Sequence, residues 1–161
     1  MEIRSLIKND FAAVSSIYLE GIKTGMATFE TEVPTWEKWN ASHLPFGRMV
    51  MVNGGEIVGW AAMSPTSNRS VYKGVAEVSV YVKASARGKG VGKALLLKLI
   101  KISEENGIWT LQSSIMPENT TSKNLHINCG FREIGYREKI GKLYGEWKDN
   151  IILERRSKLF V

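Results

Sequence analysis

The sequence predicts one α/β (α+β) domain spanning residues 1–161, a mixed and mostly antiparallel central sheet flanked by helices. Three observations point there. Strand-like and helix-like apolar spacings alternate in the order β-α-α-β-β-β-α-β-α-β-β, which suits a sheet with helices on its faces. The 161 residues, 43% apolar and 24% charged, can bury one core, and no repeat or Pro/Ser-rich linker divides them. Gly90 to Asn106 reads as a strongly amphipathic helix that follows directly on a glycine-rich turn.

The elements follow in chain order. Ile3 to Leu6 is a short strand, and Asn9 or Asp10 caps a helix in which Phe11, Val14, Ile17, Tyr18 and Ile22 share one face. Gly21 and Gly25 loosen its end. Pro34 and Thr35 open a second short helix carrying Trp36 and Trp39. Arg48 to Val52 and Ile57 to Ser64 are strands around the hairpin signal NGGE, and residues 66 to 74 form a polar loop. From Glu77 to Val82 the chain alternates, with Val78, Val80 and Val82 on a core face and Glu77, Ser79 and Tyr81 on a second face where a carboxylate can work. Val91, Ala94, Leu95, Leu99 and Ile102 line the inward side of the amphipathic helix, which Gly107 stops. Trp109 to Ile115 is a strand. Asn119 or Thr120 caps a helix ending at Gly130, and Phe131 to Ile140 with Tyr144 to Leu153 closes the domain as an antiparallel pair.

Composition narrows the function. A charged start, MEIRSLIKNDFAAV, and the lack of any apolar run near 18 residues argue for a cytoplasmic protein with no membrane partner. The single cysteine, Cys129, has no partner for a disulfide and is expected in the core, and two distant histidines suggest no metal. A net charge of +6 suits an acidic partner, yet the basic residues are scattered and show no aromatic-interleaved stripe, so no nucleic acid is expected.

The segment VSVYVKASARGKGVGKALLLKLI runs from strand through a basic glycine turn into helix. Glycines at 88, 90 and 92 let backbone amides approach an anion, and the helix adds its positive N-terminal end: a diphosphate cradle. A Walker loop is excluded because Ala94 follows Lys93 where Ser or Thr is required, and a dinucleotide fingerprint because Lys93 stands where its last glycine belongs. What remains, Arg-x-x-Gly-x-Gly, resembles the coenzyme A motif of the GNAT superfamily of N-acyltransferases. ENTTSKNLHINCGF, MATFETEVPTWEKW, GVAEVSVYV and GKLYGEWKDNIILER extend the resemblance over nearly the whole chain, toward the phosphinothricin and methionine sulfoximine acetyltransferase group.

That resemblance implies an enzyme using acetyl-CoA as co-substrate. The amides around Arg87, Gly88, Lys89, Gly90, Val91 and Gly92 would hold the pyrophosphate, and Val80 and Val82 the pantetheine arm. Asn119 would bond the arm from the far side, and Ser122 or Lys123 would lie near the phosphates. Asn119 is equally a helix cap, and the two roles are compatible. An amine must lose a proton before it attacks a thioester, and Glu77 is the base the resemblance offers. Amides near Val80 and Tyr81 would serve the oxyanion. Many relatives place a tyrosine as acid for the departing thiolate where this chain has His126, which is expected either to take that role or simply to pack. The acceptor would be a small amine bearing a carboxylate, met by Arg69 and Lys73 and enclosed by the loop with Phe29, Glu30 and Thr31. The competing expectations are an acetyltransferase for a protein N-terminus or a polyamine, whose cleft would be acidic, and a non-catalytic acyl-CoA-binding module, which would have no use for Glu77. The resemblance also implies a homodimer, with Tyr144 and Trp147 at its interface.

Overall fold

The computed structural model describes residues 1–161. β1 (Glu2–Ser5) leads through a 3-10 turn at Lys8–Asp10 into α1 (Phe11–Lys23) and then α2 (Trp36–Ser42). β2 (Met49–Asn53), β3 (Glu56–Pro65) and β4 (Val75–Val82) follow, then α3 (Val91–Glu105), β5 (Thr110–Ile115), α4 (Thr120–Asn128), β6 (Arg132–Leu143) and β7 (Glu146–Arg156). The element order is the one expected. All seven strands join one sheet in the order β1-β2-β3-β4-β5-β7-β6. Every neighbouring pair is antiparallel except β4 with β5, whose parallel pairing needs the crossover that α3 provides.

Boundaries shift where side-chain chemistry overrides spacing. Asp10 is not an ordinary side-chain cap of α1: its carboxylate takes the Ile7 amide at 2.9 Å and the guanidinium fork of Arg4 at 2.8 and 2.9 Å, which fastens β1 to the 3-10 turn. Arg4 holds the Asp10 carboxyl below the usual carboxylate range. Thr35 caps α2, accepting from the Lys38 amide at 3.3 Å. Tyr144, expected to begin the last strand, instead forms the β6–β7 turn with Gly145; both have positive φ, and Leu143 pairs with Glu146.

Two cores sandwich the sheet. On one face α3 buries Val91, Leu95, Leu96 and Leu99 against Ala61, Met63, Ala76, Val78, Leu111 and Leu153. On the other, Val14 and Ile17 of α1 and Trp39 of α2 pack on Val50, Trp60 and Ala62. The second face of β4 is therefore covered too. Tyr81 stacks on Trp60 at 5.0 Å and on Tyr18 at 4.8 Å between centroids, so the alternation separates two cores and not core from solvent. No helix is long and apolar enough to cross a membrane.

Candidate active site

The parallel pair sets the site. β4 and β5 pair only as Val75–Thr110, Ala76–Leu111 and Glu77–Gln112; beyond Glu77 the strands part. Into the gap opens a cleft of about 640 Å³ that passes through the sheet. Its walls include Glu77 to Val82, the turn at Ala86 to Gly88, Gly90 to Lys93, Ser113 to Met116, and Asn119, Thr121, Ser122, Leu125 and His126. On the α1 side they include Tyr18, Gly21, Thr24, Met26 to Glu30 and, from β7, Asn150.

The glycine turn forms part of the cleft wall. Gly88 and Gly90 have φ of +75° and +80°, a backbone conformation that side chains rarely adopt, and a Cβ on either would meet no neighbouring atom within 4 Å. Gly90 caps α3, and its carbonyl accepts the Ala94 amide at 3.0 Å. No protein acceptor takes the amides of residues 88–93, and the positive end of the α3 dipole lies beside them, an environment that favours an anion.

Glu77 stands at the apex of the parting. It pairs with Ser64 on β3, and its side chain shares a face with Ser79 and Tyr81. Opposite Val80 and Val82, α4 contributes Asn119, Ser122 and His126. The Asn119 side chain accepts the Ser122 amide at 3.3 Å, so the cap is real. His126 is 4% exposed, sits edge-on to Phe131 and holds the Ser122 carbonyl 2.7 Å from Nδ1. Nδ1 therefore carries the proton. Burial pushes the imidazole below its ordinary value, leaving a neutral ring with a lone pair at Nε2. Donation to a thiolate would require the imidazolium, which that burial disfavours.

This has a consequence for stability. His43, whose Nδ1 lies 2.7 Å from the Trp39 carbonyl, is likewise shifted down by burial. Below about pH 6.5 the unfolded chain binds protons that the folded chain refuses, so stability present above that pH is lost as pH falls toward the depressed folded values. The melting temperature, followed by scanning fluorimetry, falls between pH 7.5 and 5; a flat profile would contradict the burial of both rings.

The structure divides the remaining expected residues. Phe29 and Glu30 line the cleft; Thr31 does not, and Lys89 faces a neighbouring surface depression. Lys123 turns to Glu133, 3.1 Å away, and not to the cleft. Arg69 and Lys73 are exposed on the β3–β4 loop outside the cleft wall, with the Arg69 guanidinium 5.5 Å from the Tyr72 ring centroid. Arg87 and Lys93 are the only Lys or Arg residues in the wall, both at the cradle. Tyr144 and Trp147 stand in solvent, 71% and 56% exposed. Cys129 is in the core.

Several wall residues were not singled out from the sequence. Tyr18, on the apolar face of α1, stacks on Tyr81 at the cleft edge, and burial holds both phenols protonated. Gly21 lets that ring in: a Cβ there would lie 2.7 Å from Tyr81. The available signal was a glycine inside a helical pattern. Asn150, a polar residue opening the apolar run NIIL, was the other.

Amides without acceptors call for an anion, and parted strands call for a narrow arm leading from it toward Glu77. Together they suit a ligand with an anionic head and a slender polar arm, such as a coenzyme-dependent transferase would hold. Comparison with known proteins takes the class further: residues 14–131 match the Acetyltransferase (GNAT) family, to which the chain belongs, and it is an N-acetyltransferase. It is 32% identical over 162 residues to the phosphinothricin N-acetyltransferase of Alcaligenes faecalis, covering 95% of this chain and 81% of that one. Among solved structures it is similar to a ribosomal-protein-alanine N-acetyltransferase from Brucella melitensis, with TM-score 0.90, 28% identity and 98% and 100% of the two chains covered. It is also similar to a phosphinothricin acetyltransferase from Sinorhizobium meliloti solved with acetyl-CoA, with TM-score 0.86, 28% identity and coverage of 96% and 87%.

Proposed function

We propose that this chain transfers the acetyl group of acetyl-CoA to the amine of a small amino-acid analogue of the phosphinothricin, methionine sulfoximine or methionine sulfone type. The coenzyme fits the residues present: the free amides of residues 88–93 suit its pyrophosphate, and the unpaired edge of β4 from Val78 to Val82 suits the pantetheine amides. Bound there, acetyl-CoA supplies the activated acyl group. Glu77 takes a proton from the acceptor amine, directly or through water, and backbone amides near Val80 and Tyr81 face the carbonyl oxygen. Asn119 and Ser122 border the arm, and His126 offers an accepting nitrogen near its thiol end.

Cleft size carries the choice of a small acceptor. About 640 Å³ must hold the pantetheine arm as well as the acceptor, and sites for single drug-sized ligands span roughly 300–1,000 Å³. A second reading, a peptide N-terminus or polyamine, is favoured by one observation: the acceptor side carries Glu30 and Glu77 and no cation.

A coenzyme-release assay separates the two. Methionine sulfone and phosphinothricin are expected to be acetylated at least tenfold more efficiently than spermidine or an alanyl peptide; the reverse order would replace the first reading with the second. Arg69→Met tests the carboxylate contact. Arg69 lies outside the cleft wall, so it meets an acceptor carboxylate only if that group extends past the cleft mouth; such an exposed ion pair is worth about 1 kcal/mol, and its loss would raise the KM of the free acid about fivefold while that of its carboxamide stays put. Equal responses would remove Arg69 from the acceptor site.

A further inference from the structure

Asn150 is the one side chain of the cleft wall with a buried polar atom that has no partner. The residue is 9% exposed, lines the cleft, and its Oδ1 is fully buried without a hydrogen bond. Buried amides are normally satisfied, and one left open beside a ligand cleft is a contact held in reserve.

The sheet register says for which ligand. Glu77 pairs with Gln112, Gln112 with Glu154, and Ser114 with Ile152, so these residues share a face. Asn150 lies two residues from Ile152 and points the same way, whereas Ile151 and Leu153 belong to the α3 core. Asn150 therefore lies on the Glu77 side of the sheet, across the parting from Ser79 and Tyr81. The glycine cradle and α4 lie on the other side, so Asn150 faces the acceptor and not the coenzyme phosphates.

We propose that Asn150 is a specificity-determining residue whose carboxamide hydrogen-bonds a polar head carried by the acceptor beyond the amine that is acetylated. An amide turned by 180° exchanges its accepting oxygen for its donating nitrogen, so Asn150 can meet either an N–H or an S=O or P=O oxygen. It selects polar against apolar heads. The inference rests on the acceptor class proposed above.

The test compares methionine sulfone with norleucine, similar in length but with an apolar end, in the parent enzyme, Asn150→Leu and Asn150→Asp. The parent should favour the sulfone in kcat/KM by about tenfold or more, the cost of leaving a buried polar group unpaired. Asn150→Leu should abolish that preference through KM, with kcat and calorimetric acetyl-CoA affinity nearly unchanged, and the melting temperature of the free protein should hold or rise because the unpaired oxygen is gone. Asn150→Asp, which cannot donate to a sulfonyl oxygen, should lose the preference as well, and it serves if the Leu variant does not fold. An unchanged sulfone-to-norleucine ratio in a folded variant overturns the proposal. If the parent acetylates neither compound, the acceptor class is wrong; Asn150 is then judged on whichever amine is turned over, whose KM must rise about tenfold in Asn150→Leu for the contact to stand and overturns it by staying constant.

Discussion

Glu77→Gln lowers kcat at neutral pH by about 10²–10⁴-fold while leaving acetyl-CoA affinity within about twofold. The substitution keeps size and hydrogen-bonding capacity but removes the ability to take a proton. Glu77 sits at the last residue pair before β4 and β5 part, away from the cradle at residues 88–93, so coenzyme binding has no reason to change. Activity should recover in part as pH rises toward and beyond the amine pKa of about 8, where the acceptor increasingly arrives deprotonated. Initial rates from pH 6 to 9 with isothermal calorimetry provide the check. Unchanged turnover across that range in a folded variant would take the base away from Glu77.

Gly90→Asp should weaken acetyl-CoA binding on the order of 100-fold or more, the scale of a misplaced buried charge. Two effects add. Gly90 has φ +80°, where a side chain is strained, and a carboxylate there would stand next to the free amides proposed to hold the pyrophosphate. Its negative charge would compete with a phosphate for the same amides. Calorimetry on a variant shown to be folded by circular dichroism decides it; parental affinity would mean that the pyrophosphate binds elsewhere.

Much of this was legible in the chain because local rules and tertiary needs agree. The amphipathic period of α3 and the glycine turn before it announce both a helix and an anion site, since the same unpaired amides begin the one and form the other. Strict alternation in β4 puts Glu77 on the face of Ser79 and Tyr81, and only the family resemblance offers it as a base. What alternation cannot report is the number of layers, and so the Tyr81 face looked open when Tyr18 and Trp60 cover it. Arg69 and Lys73 were chosen for charge, but charge on a loop says nothing about reach, and both stand outside the cleft. Asn150 was missed for a related reason: its importance lies in a register across three strands, β4, β5 and β7, which no local window contains.

The parting of β4 from β5 also bears on solubility. A strand edge with free amides and carbonyls is a template for another chain, and most proteins keep such edges short, charged or bent. The outer edges here follow that habit: β1 has four residues, and β6 carries several Lys and Arg with register shifts near Glu133 and Arg137. The unpaired edge of β4 from Val78 to Val82, by contrast, lines the cleft between β4 and β5 and not an outer border of the sheet. A row of backbone groups kept open in this way is less accessible to a neighbouring chain than an outer strand would be.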